Sequence, residues 1–216
     1  ILPEDQWIYD FSFPKDGGKP NPHVWTNPQM AGDFAALIRD SLVAADPDNA
    51  ATYKSNYETF VLKIDALDQA IVESTATLAP DQRKLLTYHD AFAYFARTYG
   101  WTVIGAIQPS SFEEPTPKEI AELIDQVKQE GVTAIFGSEV FPSSVLEQIG
   151  KESSVRYVDV LRDDDLLGAP GDPEHSWLGL MRFDYVTMVE ALGGDASALE
   201  SLDVSDVGPD TANYPQ

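Results

Sequence analysis

The stretch Leu85-Leu86-Thr87-Tyr88-His89-Asp90-Ala91-Phe92-Ala93-Tyr94-Phe95-Ala96-Arg97-Thr98-Tyr99-Gly100-Trp101 decides the fold. Leu85 to Tyr88 is an apolar run of strand length. Ala91, Phe92, Phe95 and Tyr99 then recur at helical spacing, and Gly100 supplies the residue that most readily closes a helix in the left-handed conformation. Trp101–Ile107 returns to strand character. A strand that passes at once into a helix and back into a strand is a β-α-β unit, whose two strands lie parallel in one sheet.

The same alternation continues downstream. Thr116-Pro117-Lys118-Glu119 is a helix start, with a Thr cap, Pro at the first position and Glu at the third. Ile120, Leu123, Ile124 and Val127 follow on one face. Val132–Phe136 reads as a strand, Ser144–Lys151 as a helix, Val155–Leu161 as a strand and Trp177–Leu192 as a helix. The expected class is α/β, a parallel sheet flanked by helices on both faces.

Upstream the texture is helical. Met30, Phe34, Leu37, Ile38 and Leu42 mark one face of a helix from Pro28 to about Ala44. Asp46-Pro47-Asp48-Asn49 breaks it, and Tyr53, Tyr57, Phe60, Ile64, Leu67, Ile71 and Leu78 trace a long helix over Asn49–Leu78. Before these lies an aromatic, Gly- and Pro-rich segment in which Tyr9, Phe11 and Phe13 alternate as a short strand would. The organisation read from this is a remnant at 1–22, a helical connector at 23–80, an α/β lobe at 81–194, and an acidic, loosely ordered tail at 195–216. One aromatic strand cannot fold alone, so either a lobe lying upstream of Ile1 is expected to be missing or the remnant is expected to pack on the α/β lobe.

Composition excludes several chemistries. The chain has 216 residues and a net charge of −22, which repels phosphate backbones and argues against nucleic acid as a partner. With no cysteine it can form no disulfide framework, zinc finger, iron–sulfur cluster or thiol nucleophile. No apolar run approaches the roughly 20 residues that a bilayer span requires.

In open parallel sheets ligands bind outside the carboxyl ends of the strands. His89-Asp90, Ser138-Glu139 and Asp163-Asp164-Asp165 each follow a predicted strand there. Of the other two histidines, His23 sits in Asn21-Pro22-His23-Val24-Trp25, and His175 lies in a turn and reads as an exposed loop residue. His23 and His89 are too far apart for a local zinc motif.

Several stretches carry a family resemblance: Asn21-Pro22-His23-Val24-Trp25 with Asn27-Pro28, Ala45-Asp46-Pro47-Asp48-Asn49, Tyr53 with Asn56, and Thr87 to Phe95. Glu114-Pro115-Thr116-Pro117 and Ala134-Ile135-Phe136 with Glu139 extend it. Over residues 20 to 194 the chain resembles the manganese/zinc solute-binding proteins of bacterial ABC importers, the receptor family of the pneumococcal surface adhesin and the treponemal metal receptor. The resemblance implies a two-lobed receptor joined by a long helix, of which this chain is a fragment lacking the N-terminal lobe. It implies metal between the lobes, held by His23, His89 and a carboxylate at Asp164, with Asp163 as close rival, and by a fourth ligand in the absent lobe. Asn21 stands where the motif usually has Asp, and Glu139 matches a glutamate near the cleft.

The implied cargo is Mn2+ or Zn2+, and the lack of a His-rich loop leans toward manganese or an unselective site. Imidazole with carboxylate suits such borderline metals. The implied partner is an ABC transporter permease, the location extracytoplasmic (periplasmic, or a lipoprotein anchored upstream of Ile1), and the state a monomer. With three of four ligands present, this chain alone is expected to bind metal weakly. Asp90 and Glu139 are candidates to orient the histidines. The alternatives from other classes are a metal-dependent hydrolase, for which no general acid–base motif is found, and an adhesin with a vestigial cleft.

Overall fold

The computed structural model describes residues 2–10, 12–108, 116–138, 144–162 and 164–208. Four strands form one all-parallel sheet: β1 (Lys84–His89), β2 (Thr102–Gln108), β3 (Ala134–Ser138) and β4 (Arg156–Leu161), in spatial order β2-β1-β3-β4. The helices α3 (Ala93–Tyr99), α4 (Pro117–Glu130), α5 (Ser144–Ser153) and α6 (Trp177–Ala191) follow the strands in turn. Two apolar clusters lie on opposite faces of the sheet. Phe95, Trp101, Met181, Tyr185 and Met188 build one under α3 and α6, and Ile124, Val127, Leu146 and Ile149 build the other under α4 and α5. The α/β reading holds in full.

Local chemistry sets the ends of these elements. The Thr116 hydroxyl accepts from the Glu119 amide and the Glu119 carboxylate accepts from the Thr116 amide, a closed capping box with Pro117 inside it. Gly100 closes α3 at φ +70°, a conformation that an L side chain resists. The chain then turns directly into β2.

Two long helices precede the sheet, α1 (Pro28–Ala45) and α2 (Ala50–Ala76). At 1.5 Å per residue α2 runs for about 40 Å. Its buried residues, Ile64, Leu67, Ala70, Ile71, Ser74 and Thr75, all fall in the second half, which lies on the α/β body. The first half pairs with α1, and the Tyr53 hydroxyl donates to Asp46 at 2.7 Å across the turn between them. Of the apolar face read on α1, only Met30 is buried. Phe34, Leu37, Ile38 and Leu42 are between 39% and 59% exposed, because no described element covers them.

Two expectations are corrected. Among the described residues, neither Tyr9 nor Phe13 lies in the strand that their alternation with Phe11 predicts. Phe11 lies outside the described residues, and around it Asp10 Oδ1 accepts from the amides of Ser12 and Phe13, a side-chain turn that folds the chain back. The tail is not loose from residue 195. Residues Ser197–Glu200 form a short helix, α7, and Leu199 and Val204 are buried in the α3/α6 cluster. The acidic, small-residue composition hid two apolar anchors spaced five apart. Leu199→Ala in this chain is expected to lower stability by about 2–4 kcal/mol, measured by urea denaturation. An unchanged midpoint would mean that the segment does not pack.

Candidate metal centre

The strand order places a switch point between β1 and β3: the chain leaves β1 toward β2 and returns across it to β3. Ligand crevices in open α/β sheets form at such points, beyond the strand ends. His89 is the last residue of β1 and Ser138 the last of β3. With Phe92, Gly137 and Leu161 they line a narrow crevice. A roomier cavity of about 420 Å³ between Phe60, His175 and Trp177 lies apart from the crevice residues.

His23 meets His89 from the loop before α1. The loop is built on two Asx-Pro steps. Asn21 Oδ1 accepts from the His23 amide at 3.0 Å, and Asn27 caps α1 by accepting from the amides of Gln29 and Met30 with Pro28 at the first helical position. Side chains then fasten the loop to the α/β body. Thr26 Oγ1 donates to the Ala91 carbonyl at 2.9 Å, Tyr94 donates to the Asn21 carbonyl at 2.9 Å, Trp177 Nε1 donates to the Trp25 carbonyl at 3.0 Å, and Tyr185 donates to the Thr26 carbonyl. His23 is 6% exposed, with Trp25 and Phe13 edge-on to its ring.

Held in this way, the two imidazoles meet nitrogen to nitrogen. His23 Nε2 and His89 Nε2 are 2.9 Å apart, with the rings nearly perpendicular and their centroids 4.6 Å apart. Their protons can be assigned from partners that have no choice. The His23 backbone N–H can only donate, so the Asn21 atom facing it is the oxygen. That oxygen also lies 2.8 Å from His23 Nδ1, which must therefore be the protonated nitrogen. His23 Nε2 is left bare, the form a metal requires. His89 Nε2, facing that lone pair, carries the proton of their shared bond. Metal capture at both Nε2 atoms therefore requires that proton to leave His89 Nε2.

Electrostatics reinforce the neutral form of His23. Burial, assisted by His89, lowers its pKa from 6.5 to about 4, while Asp10 and the Asp90 carbonyl pull the other way. Asp90 is fully buried beside it. Burial raises the Asp90 carboxyl to about 7, opposed by the Ser12 hydroxyl and reinforced by Asp10.

Of the residues expected to hold a metal, the fold brings His23 and His89 together. Among the described residues no group of three His, Asp or Glu side chains is close enough to share a metal. Asp164 is exposed in the loop after β4 and is not brought together with the pair. Its rival Asp163, and Glu139 and Glu114-Pro115, lie outside the described residues. The acceptor that orients His23 is Asn21, in place of the expected Asp90 or Glu139. The Asn-Pro spacing could have shown this, since an Asn two residues before a buried amide is well placed to cap it. His175 is partly buried, with Nδ1 2.7 Å from the Leu167 carbonyl, so its exposed-loop reading is also corrected.

A helix-flanked parallel sheet with two imidazoles in contact at its switch point, one buried and one half-buried, is an arrangement whose donor atoms could hold a transition metal. Comparison with known proteins makes this specific: residues 4–191 match the family described as "Zinc-uptake complex component A periplasmic" (ZnuA), and the chain belongs to that family. It is 29% identical over 176 residues to the iron-binding protein YfeA of Yersinia pestis, covering 82% of this chain and 56% of that protein. It is 27% identical over 172 residues to the manganese-binding lipoprotein MntA of Halalkalibacterium halodurans, covering 80% of this chain and 57% of that one. Among solved structures, the periplasmic zinc-binding protein TroA from Treponema pallidum superposes with a TM-score of 0.77 at 25% identity, over 88% of this chain and 69% of that one. The chain thus spans a little over half the length of the curated relatives it matches. All three of these proteins are named for the metal they bind.

The two buried groups give opposite pH dependences. His23, lowered from 6.5, stabilises the fold fully above pH 6.5, and this contribution is lost as pH falls toward 4. Asp90, raised from 3.8, contributes stability at low pH that is lost as pH rises through about 7. Each is on the order of 3 kcal/mol, so they offset each other in the parent. Asp90→Asn removes one arm. Between pH 7 and pH 4.5 the variant is expected to lose about 3 kcal/mol more stability than the parent, measured by urea denaturation at each pH. Parallel profiles would show that Asp90 is ionised in the fold.

Proposed function

We propose that this chain is the metal-holding part of an extracytoplasmic solute-binding protein. It captures a divalent first-row transition metal, Mn2+ or Zn2+, and delivers it to an ABC transporter permease. The observation that carries the reading is the His23–His89 pair, two imidazole nitrogens 2.9 Å apart at the sheet's switch point, with His23 buried neutral and its ligating nitrogen bare. Imidazole is a good ligand for zinc and also serves iron, and adding carboxylate accommodates manganese. Relatives named for iron, manganese and zinc fit a site of this donor type.

The proposed ligand set is His23, His89 and a carboxylate from the loop after β4, Asp164 with Asp163 as its rival. Leu161, at the head of that loop, already lines the His89 crevice, so the loop begins at the site. The bare apolar stripe of α1 supports a further lobe seated against the α1–α2 hairpin, as the greater length of the relatives also suggests. No helix among the described residues is long and apolar enough to cross a membrane, which suits a receptor that meets its permease from outside. The chain acts as a carrier and not as an enzyme, a monomer with no nucleic-acid partner.

With part of the ligand set supplied by this chain, zinc is expected to bind in the micromolar range by calorimetry, and His89→Ala is expected to weaken it by at least about tenfold, a loss of 1.4 kcal/mol or more. Asp164→Asn tested beside Asp163→Asn identifies the carboxylate by which of them loses affinity. Nanomolar binding by this chain would overturn the incomplete ligand set, and affinity unmoved by His89→Ala would overturn the site.

A further inference from the structure

The Asn21 side chain uses all of its hydrogen-bonding directions. Its oxygen accepts from the His23 amide at 3.0 Å and from His23 Nδ1 at 2.8 Å. Its nitrogen donates to the Asp90 carbonyl and to Asp10 Oδ2, both at 3.0 Å. Asp10 is itself fixed. Its other oxygen, Oδ1, is held by the amides of Ser12 and Phe13 at 3.0 and 2.9 Å, which leaves Oδ2 to face Asn21. The chain Asp10–Asn21–His23 is thus a directed series, carboxylate to amide to imidazole, ending at the bare Nε2. Asp10 is the one charged member, and hydrogen bonds to ionised groups are roughly twice as strong as neutral ones. An Asp at position 21 would set its carboxylate against that of Asp10 at this distance, so the two positions are matched.

We infer that Asp10 is a positioning residue for the metal centre, acting through the Asn21 amide to hold His23 with Nδ1 protonated and Nε2 open. Asp10 touches neither imidazole through a hydrogen bond of its own, and its effect passes through Asn21. The consequence for metal affinity rests on the receptor function proposed above, but the consequence for the tautomer does not.

The distinguishing variant is Asp10→Asn. The two backbone amides require an oxygen at Oδ1, so the new amide nitrogen falls where Oδ2 was and faces the Asn21 nitrogen, donor against donor. Asp10→Ala only removes the partner. A merely structural role would make the isosteric Asp10→Asn the milder change, whereas the series makes it the more severe. Nitrogen-15 NMR of the imidazoles in the full metal-free chain is expected to show His23 protonated at Nδ1 in the parent, with the population moving toward Nε2–H in Asp10→Ala and further in Asp10→Asn. Zinc affinity by calorimetry should fall about tenfold or more in Asp10→Asn. In an Asn21→Ala background, adding Asp10→Asn should change affinity by less than about twofold, because the link is already cut. An unchanged tautomer in Asp10→Asn, or an equal effect in both backgrounds, would overturn the positioning role. If the tautomer responds as stated while zinc binds neither parent nor variant, the receptor reading fails and the positioning role stands.

Discussion

Two imidazole nitrogens at 2.9 Å tolerate only one arrangement of protons: one nitrogen bare and the other carrying the hydrogen between them. This constraint reaches outward through the structure. A bare Nε2 on His23 requires the proton on Nδ1, which requires an acceptor, and Asn21 supplies it in an orientation fixed by the His23 backbone amide. The loop in turn must be held to within tenths of an ångström of the sheet, which explains why Thr26, Tyr94, Trp177 and Tyr185 all fasten its backbone. Each of these bonds is worth about 1 kcal/mol. Together they make the loop before α1 a part of the α/β body, although it is separated from β1 by more than 50 residues, most of them in α1 and α2.

The −22 charge acts on this site at one remove. A strongly negative protein attracts cations in general, yet the His23–His89 pair sits where burial keeps His23 uncharged and raises the Asp90 carboxyl to about 7. Long-range charge raises the local concentration of any cation. The pair answers a narrower question, since a neutral imidazole binds a metal through its lone pair and offers little to sodium or potassium. Steering and selection are therefore separate, and only the second depends on the geometry of His23 and His89.

How much of this was legible in the sequence follows from the range of the interactions involved. Strand and helix identities from β1 to α6 rest on local periodicity and on caps such as Thr116–Glu119 and Gly100, and these read correctly. The failures involve side chains that compete with periodicity or partners remote in sequence. Tyr9 to Phe13 alternates like a strand, but Asp10 between them captures two amides and makes a turn. Leu199 and Val204 are too few to outweigh acidic neighbours, yet both reach the core. The apolar face of α1 was read correctly as a stripe, but what covers it cannot be inferred from the stripe. At the site, His89 was legible from its place at a strand end, and His23 only through the family resemblance of Pro22-His23-Val24-Trp25; that the two rings meet depends on contacts between segments 66 residues apart. The agent that orients His23 was not legible, because a carboxylate was sought where an amide does the work and the charge sits one residue further out.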